Sequence, residues 1–289
     1  RGMGAAVGQV PEYIKQATEW CKKYATVPVI VKLTPNITDV IYPAEACLEG
    51  GADAVSLINT INSIMRVDYD SLTMFPTTGG MGTHGGYCGE AVKPIALNMV
   101  AEIARNEKTK NLPISGIGGV TTWKDAVDFL ALGASNVQVC TAAMVYGFKI
   151  VEDMKTGLSN FLDEKGMNSV DELIGKAVPS VTDWKFLNLN HVDKAVIDQE
   201  KCIKCGRCHI VCEDTSHQAI NYSNDEGNRV FTVDDTECVG CNLCVSVCPI
   251  VDCITMVAME SGTDPRTGKA ITSEPADWTT HENNPLKVS

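Results

Sequence analysis

The sequence predicts an α/β chain in two parts: a parallel sheet or barrel over residues 1–143, and a small cysteine-rich α+β domain over 196–260. Three observations predict it. Short apolar runs alternate with amphipathic stretches through the first part. Glycines and polar residues stand at the carboxyl end of each run. Two cysteine runs of one spacing, starting at Cys202 and Cys238, follow near the end of the chain.

The elements come in order. Pro11 suits the first turn of a helix, and Ile14, Ala17, Trp20, Cys21 and Tyr24 then recur at steps of three and four. "VPVIVKLTPN" (27–36) reads as a buried parallel strand closed by Pro35 and Asn36. A helix around Tyr42–Glu49 ends at Gly50-Gly51, and "GADAVSLINT" (51–60) is the next strand. A long loop with six glycines over 79–89 leads to a helix over 91–106, with Val92, Ala96, Met99, Val100 and Ile103 on one face. "LPISGIGGV" (112–120) is a third strand, Trp123–Leu132 a helix and "ASNVQVCTA" (134–142) a fourth strand. Four such units are half of an eightfold barrel. Residues 144–195 read as a helical connector, with a capping-box pattern "SVDE" at 169–172 and a domain boundary near Asn190; residues 261–289 read as a C-terminal tail.

Composition narrows the class. A net charge of −12 argues against nucleic acid or an anionic membrane as partner. No apolar run approaches the roughly 20 residues that span a bilayer, and nothing resembles a signal peptide. Eight of the thirteen cysteines fall in two identical spacings, which points to metal in a reducing, cytoplasmic compartment rather than to disulfides.

The strand ends carry the candidate chemistry of the first part. In barrels of this kind the carboxyl ends of the strands hold the active site, and the loops after the last two strands commonly bind a phosphate. Gly118-Gly119 lets the backbone come close to a phosphate oxygen, and Cys140-Thr141 can complete the cradle. Lys32, in an apolar strand, is expected to be buried and so must be paired or face a polar ligand; a cofactor group that gains negative charge on reduction would serve. A strand-end lysine reaching solvent is the alternative. Asn59 and Thr60 end the second strand, where an amide can donate and accept, or merely cap the strand.

The cysteines carry the second part. Cys202, Cys205, Cys208 and Cys212 have the spacing C-x2-C-x2-C-x3-C, repeated by Cys238, Cys241, Cys244 and Cys248 ahead of Pro249. This is the two-cluster ferredoxin run, in which the fourth cysteine of each run serves the other [4Fe–4S] cluster. One cluster is expected on Cys202, Cys205, Cys208 and Cys248, the other on Cys238, Cys241, Cys244 and Cys212. Zinc prefers two pairs per site over a triplet plus one. Glu213 stands where a proline is usual, and Cys253, Cys21 and Cys47 read as packed thiols. Between Asp198 and Asp252 ten residues are acidic and four basic, the balance of a small electron carrier.

From Arg1 to about Met256, the motifs "RGMGAAVGQVPE", "KLTPN", "NTINSIM", "GGYCGEAVKPIAL", "GIGGV", "VQVCTA" and "CIKCGRCHIVCEDTSHQAI" make the chain resemble the C-terminal part of dihydropyrimidine dehydrogenase. The nearest likeness is to the bacterial catalytic subunit of the NAD-dependent enzyme, in which an FMN-binding TIM barrel of the dihydroorotate dehydrogenase type is fused to a two-cluster ferredoxin-like domain. The resemblance implies reduction of uracil and thymine to their 5,6-dihydro forms. It implies FMN and two [4Fe–4S] clusters in the chain, and an FAD-bearing partner subunit that binds NAD(H), hence a hetero-oligomer. It also implies that Lys32 meets the flavin ring, that Gly118, Gly119, Cys140 and Thr141 hold its phosphate, that the Gly86 backbone approaches FMN, and that Asn59 and Thr60 bind the pyrimidine.

One departure lies at the front. The family's "N-x-S-C-P" motif, with the cysteine general acid, precedes "RGMG", so that acid is expected upstream of Arg1, and neither Cys88 nor Cys140 fits the role. The chain accordingly reads as a C-terminal fragment, inactive alone, that lacks the first four barrel strands. Two other readings stand beside it. A dihydroorotate dehydrogenase-like flavoenzyme shares the barrel but normally lacks an eight-cysteine tail. A ferredoxin-type electron-transfer protein would bind iron and no FMN.

Overall fold

A computed structural model describes residues 4–188, 191–259 and 262–271. The opening Arg1, the boundary expected near Asn190 and most of the tail over 261–289 fall outside them. Two compact units, Arg1–Val181 and Thr182–Ser289, divide the chain.

In the first unit a 3₁₀ turn, Gly4–Gln9, precedes α1 (Pro11–Tyr24), and Pro11 starts the helix as its missing N–H allows. Strand β1 (Ile30–Lys32), helix α2 (Ile41–Glu49) and strand β2 (Ala54–Leu57) follow. The expected loop before the next helix holds two small antiparallel pairs instead. Strand β3 (Ile61–Ser63) pairs with β6 (Gly85–Tyr87), and β4 (Arg66–Val67) with β5 (Met74–Phe75). Such short strands exist only through their pairing, 7–9 residues apart for β4–β5 and 22–26 for β3–β6, which no local pattern signals. Helix α3 (Lys93–Arg105), strand β7 (Ile114–Ile117), helix α4 (Trp123–Ala131) and strand β8 (Asn136–Gln138) complete the alternation.

All four long-range strands run parallel, in the order β1-β2-β7-β8. The helices bury Ala44, Cys47, Val100, Ile103 and Phe129 against Val55, Leu57 and Ile114. Phe129 presses so closely on β7 that a Cβ on Gly116 would stand 2.6 Å from its ring. Phe129→Ala would cost about 3–5 kcal/mol through the lost burial and the cavity left behind.

The expected connector is not a separate piece. Helix α5 (Thr141–Tyr146) leads to α6 (Ile150–Glu164), which lies against α4 with Trp123 and Phe161 5.6 Å apart; Gly157 leaves the room, since any Cβ there would overlap the Trp123 ring. The N–H groups of Gly175 and Ala177 then donate to the Leu130 and Ala131 carbonyls at the end of α4. Residues 144–181 therefore belong to the first unit. The capping box expected at 169–172 does not form: Ser169 makes no side-chain cap, and Glu172 accepts from the Asn168 N–H instead. A real one stands at Thr122 and Asp125, where α4 begins.

The second unit is α+β. Strand β9 (Val192–Ile197) precedes α7 (Arg207–Thr215) and the hairpin of β10 (Ile220–Asp225) with β11 (Asn228–Val233). Helix α8 (Leu243–Val247) and β12 (Ile254–Met259) follow, and β12 pairs antiparallel with β9. Its core is small and sulfur-rich, with Cys208, Cys212, Cys238, Cys244 and Cys253 buried beside Phe231, Ile220 and Ile254. No helix among the described residues is long and apolar enough to cross a membrane.

Candidate functional site

At the carboxyl ends of the four parallel strands lies an open cleft of about 610 Å³. Lys32, Asn59, Thr60, Gly118, Gly119, Cys140 and Thr141 all line it. Parallel pairing puts polar residues in one row across the sheet, since Lys32 stands opposite Ser56, Ser56 opposite Ser115 and Ser115 opposite Asn136. Gln138 ties the row together by donating to Ser56 Oγ and Ser115 Oγ, both at 2.8 Å, while Ser115 donates to Asn136 Oδ1 at 2.5 Å. Residues on one row of a parallel sheet point to one face, so the row forms a polar floor beside the cleft.

Lys32 corrects an expectation. It is exposed rather than buried, because it ends β1 and projects into the cleft. It makes no hydrogen bond or ion pair with any described residue. A free ammonium in a concave polar site fits an acceptor or anionic ligand. Asn59 has a partly structural role: its Oδ1 accepts from the Thr60 N–H at 2.9 Å, as a strand-end cap would. Its amide nitrogen has no described partner and is free to donate to a ligand carbonyl. Gly86 does not line the cleft. It lies under Thr60, where any Cβ would overlap the Thr60 side chain, so it sets the position of a residue that does.

The loop after β7 makes the cradle. Gly118 and Gly119 have φ of 138° and 73°, and a Cβ on Gly119 would meet Gly89 O at 2.8 Å and Lys93 Cβ at 2.9 Å. Only glycine combines that backbone with that closeness. A brace behind the loop was missed by sequence reasoning. Lys93 donates to Asp125 at 2.5 Å, and the other Asp125 oxygen accepts from the N–H groups of Thr121 and Thr122 at 3.0 and 2.8 Å. Burial works against the Asp125 carboxylate, but the Lys93 and Thr121 hydrogen bonds prevail and hold its pKa far below the usual range; Asp125 in turn raises the Lys93 ammonium. Gln138, Cys88, Tyr87 and Thr121 line the cleft and were also missed. For Gln138 a signal existed, since one polar residue interrupts each apolar strand. The donors, the free cation and a loop with no room for a Cβ fit a phosphorylated, electron-accepting cofactor.

In the second unit the eight patterned cysteines separate into two cavities. Cys202, Cys205, Cys208 and Cys248 line one of about 330 Å³, and Cys212, Cys238, Cys241 and Cys244 line another of about 350 Å³. These are the crossed sets that the spacing implies. Three thiols from one run and one from the other meet in each cavity, a set that suits a four-iron cluster. Burial pushes the Cys244 thiol up to about 11 and raises Cys208; the positive charge of iron would offset that cost. Backbone donors turn inward as well, with Ala219 N–H 3.2 Å from Cys212 Sγ. Cys253 shares the first cavity but stays a packed thiol, 3.7 Å from the Asp198 carbonyl, with burial and then its neighbour Cys248 lifting it to about 12.

Comparison with known proteins places these features in company. The dihydroorotate dehydrogenase family model matches residues 2–162, and a 4Fe-4S dicluster domain model matches residues 195–256. The chain is 41% identical over 254 residues to the NAD-dependent dihydropyrimidine dehydrogenase subunit PreA of Escherichia coli (strain K12), covering 88% of this chain and 61% of that protein. It is 38% identical over 209 residues to the chloroplastic dihydropyrimidine dehydrogenase (NADP(+)) of Arabidopsis thaliana, covering 71% and 49%. To the catalytic subunit of dihydroorotate dehydrogenase B (NAD(+)) of Thermococcus kodakarensis it is 40% identical over 178 residues, covering 62% and 56%. The chain thus spans between about half and three fifths of the length of these relatives.

Proposed function

Because the chain belongs to the dihydroorotate dehydrogenase family, we propose that it is the C-terminal part of a flavin- and iron–sulfur-dependent dihydropyrimidine dehydrogenase, with half of a TIM barrel and a two-cluster ferredoxin-like domain. One observation carries the choice within the family: the cleft and two four-thiol cavities occur in a single chain. The 254 residues matched to the Escherichia coli subunit exceed the 181 of the first unit, so that likeness runs into the cysteine unit.

When bound, FMN would supply the step between one-electron carriers and two-electron reduction of a carbon–carbon double bond. The chain's own residues serve that step by position and charge. Lys32 would place its ammonium against the flavin edge that becomes negative on reduction. The Gly118-Gly119 loop, with Cys140 and Thr141, would receive the phosphate, and the Lys93–Asp125 brace keeps that loop in shape. Asn59 would donate its amide hydrogen to a pyrimidine carbonyl, with Thr60 beside it on Gly86. The cysteine quartets would hold two [4Fe–4S] clusters as the route for electrons. The G-x-G-x-x-G at Gly80, Gly82 and Gly85 runs from the loop after the short strand β5 into the short strand β6 and opens no helix, so the nicotinamide and FAD sites are assigned to a partner subunit. The general acid is assigned to a cysteine preceding Arg1.

The test uses the polypeptide with its preceding N-terminal residues. It should form dihydrouracil from uracil with an artificial reductant, and with NADH only once an FAD-bearing subunit is added. Deletion of residues 196–260 should abolish the NADH reaction and leave the artificial one. Conversion of dihydroorotate but not of uracil would favour the sister activity and sink this one.

A further inference from the structure

Lys194 is a buried lysine in the second unit, 6% exposed, on β9. Its three donors are all engaged. The ammonium donates to the Asp235 carbonyl at 2.8 Å and the Cys238 carbonyl at 2.6 Å, and stands 3.3 Å from Asp264 Oδ1. Asp264 is itself 7% exposed, and the Thr267 hydroxyl and Arg266 N–H hold its two oxygens in a turn. An ammonium and a carboxylate this deep persist only when both are paired and hydrogen-bonded, as here.

The placement of these carbonyls has a consequence for the cavity. In a trans peptide the C=O and the following N–H point opposite ways. Anchoring the Cys238 carbonyl on Lys194 therefore turns the Val239 N–H away from Lys194, and Val239 lines the cavity of the Cys238 quartet. The loop also lies flush on β9, since a Cβ on Gly240 would stand 2.6 Å from the Asp193 carbonyl. Both charged residues fall outside the matched dicluster segment, residues 195–256, one just before it and one just after. The Lys194–Asp264 pair reaches the Cys238 loop of one quartet.

We propose that Lys194, locked by Asp264, positions the Cys238 loop and sets the reduction potential of the cluster held by Cys212, Cys238, Cys241 and Cys244. The reasoning rests on the iron–sulfur reading of the quartets. Lys194 orients backbone N–H groups toward the cluster sulfurs, and its fixed positive charge favours the reduced, more negative cluster. Among the described residues no buried lysine reaches the other quartet, where Lys201 donates to the Asp252 carbonyl at 3.3 Å from an exposed position, so that quartet keeps its own potential.

The test is an EPR-monitored redox titration of the anaerobically prepared full chain, with iron analysis beforehand. Cys202→Ala and Cys238→Ala assign each signal to its quartet. Lys194→Met should shift the Cys238-quartet signal to more negative potential and leave the other in place. Asp264→Asn removes the countercharge but can still accept from Lys194, so it should move the same signal the opposite way. A merely structural pair would not give opposite shifts. If Lys194→Met costs cluster occupancy, selective loss of the Cys238-quartet signal with half the iron supports the positioning role. Unchanged potentials, both signals moving together, shifts of one sign, or loss of all iron would overturn it. Wild-type chain without iron would instead overturn the reading beneath it.

Discussion

Lys32→Met separates binding from folding. Lys32 is exposed in the cleft and pairs with no described residue, so its removal should leave stability within about 0.5 kcal/mol, as for surface substitutions away from special features. Methionine retains most of the apolar stem along β1. A hydrogen bond from a charged donor contributes about 1.5–3 kcal/mol. At about 1.4 kcal/mol per tenfold, that predicts FMN binding weaker by about 10- to 150-fold. Titration followed by quenching of flavin fluorescence measures the affinity, and thermal unfolding without FMN measures stability. A dissociation constant within about twofold of wild type would make Lys32 a solvent-facing strand end. Equal losses of affinity and stability would also refute the reasoning, because they would mean that Lys32 works through the fold.

Three further outcomes follow. Gly119→Ala should damage stability and cofactor affinity together: the left-handed backbone alone costs alanine about 1–2 kcal/mol, and the added Cβ would meet a backbone carbonyl at 2.8 Å; a melting temperature equal to wild type would contradict it. Asp125→Asn should lower stability at neutral pH by about 2 kcal/mol through loss of the cap and ion pair. Because the folded pKa of Asp125 lies below the unfolded value, its contribution is full above about pH 4 and is lost as pH falls further, so urea midpoints of wild type and variant should converge in acid. Anaerobic protein should hold about eight iron per chain, and Cys202→Ala and Cys238→Ala should each remove about four; stoichiometric zinc would exclude the cluster assignment.

Much of this protein was legible in the sequence because the signals are local or strictly periodic. The apolar face of α3 follows from the spacing of Ala96, Met99, Val100 and Ile103, all of them buried. The cysteine spacing announced the crossed quartets before any cavity was seen, since a cluster can take only thiols that tight turns bring together. Lys32, Asn59 and Gly118 stood at strand ends, and parallel strands joined by helices bring their carboxyl ends to one side.

The rest needed coordinates, because it depends on which distant residues meet. Nothing near Lys32 in the sequence says that it is exposed and unpaired, for its surroundings come from β2, β7 and β8. Gln138 spans two serines on other strands, and Asp125 is recognised as a brace only once Lys93, thirty-two residues earlier, reaches it. The segment over 144–181 looked like a connector because its helical pattern names no partner; the Trp123–Phe161 contact supplied one. Lys194 and Asp264 lie seventy residues apart, and burial alone turns two ordinary charges into a pair that each requires. Periodicity and spacing determined the elements and the two cysteine runs. Which side chains share a cavity, a charge or a carbonyl was decided by tertiary packing, because those energies arise only when segments far apart in the chain exclude water from the same place.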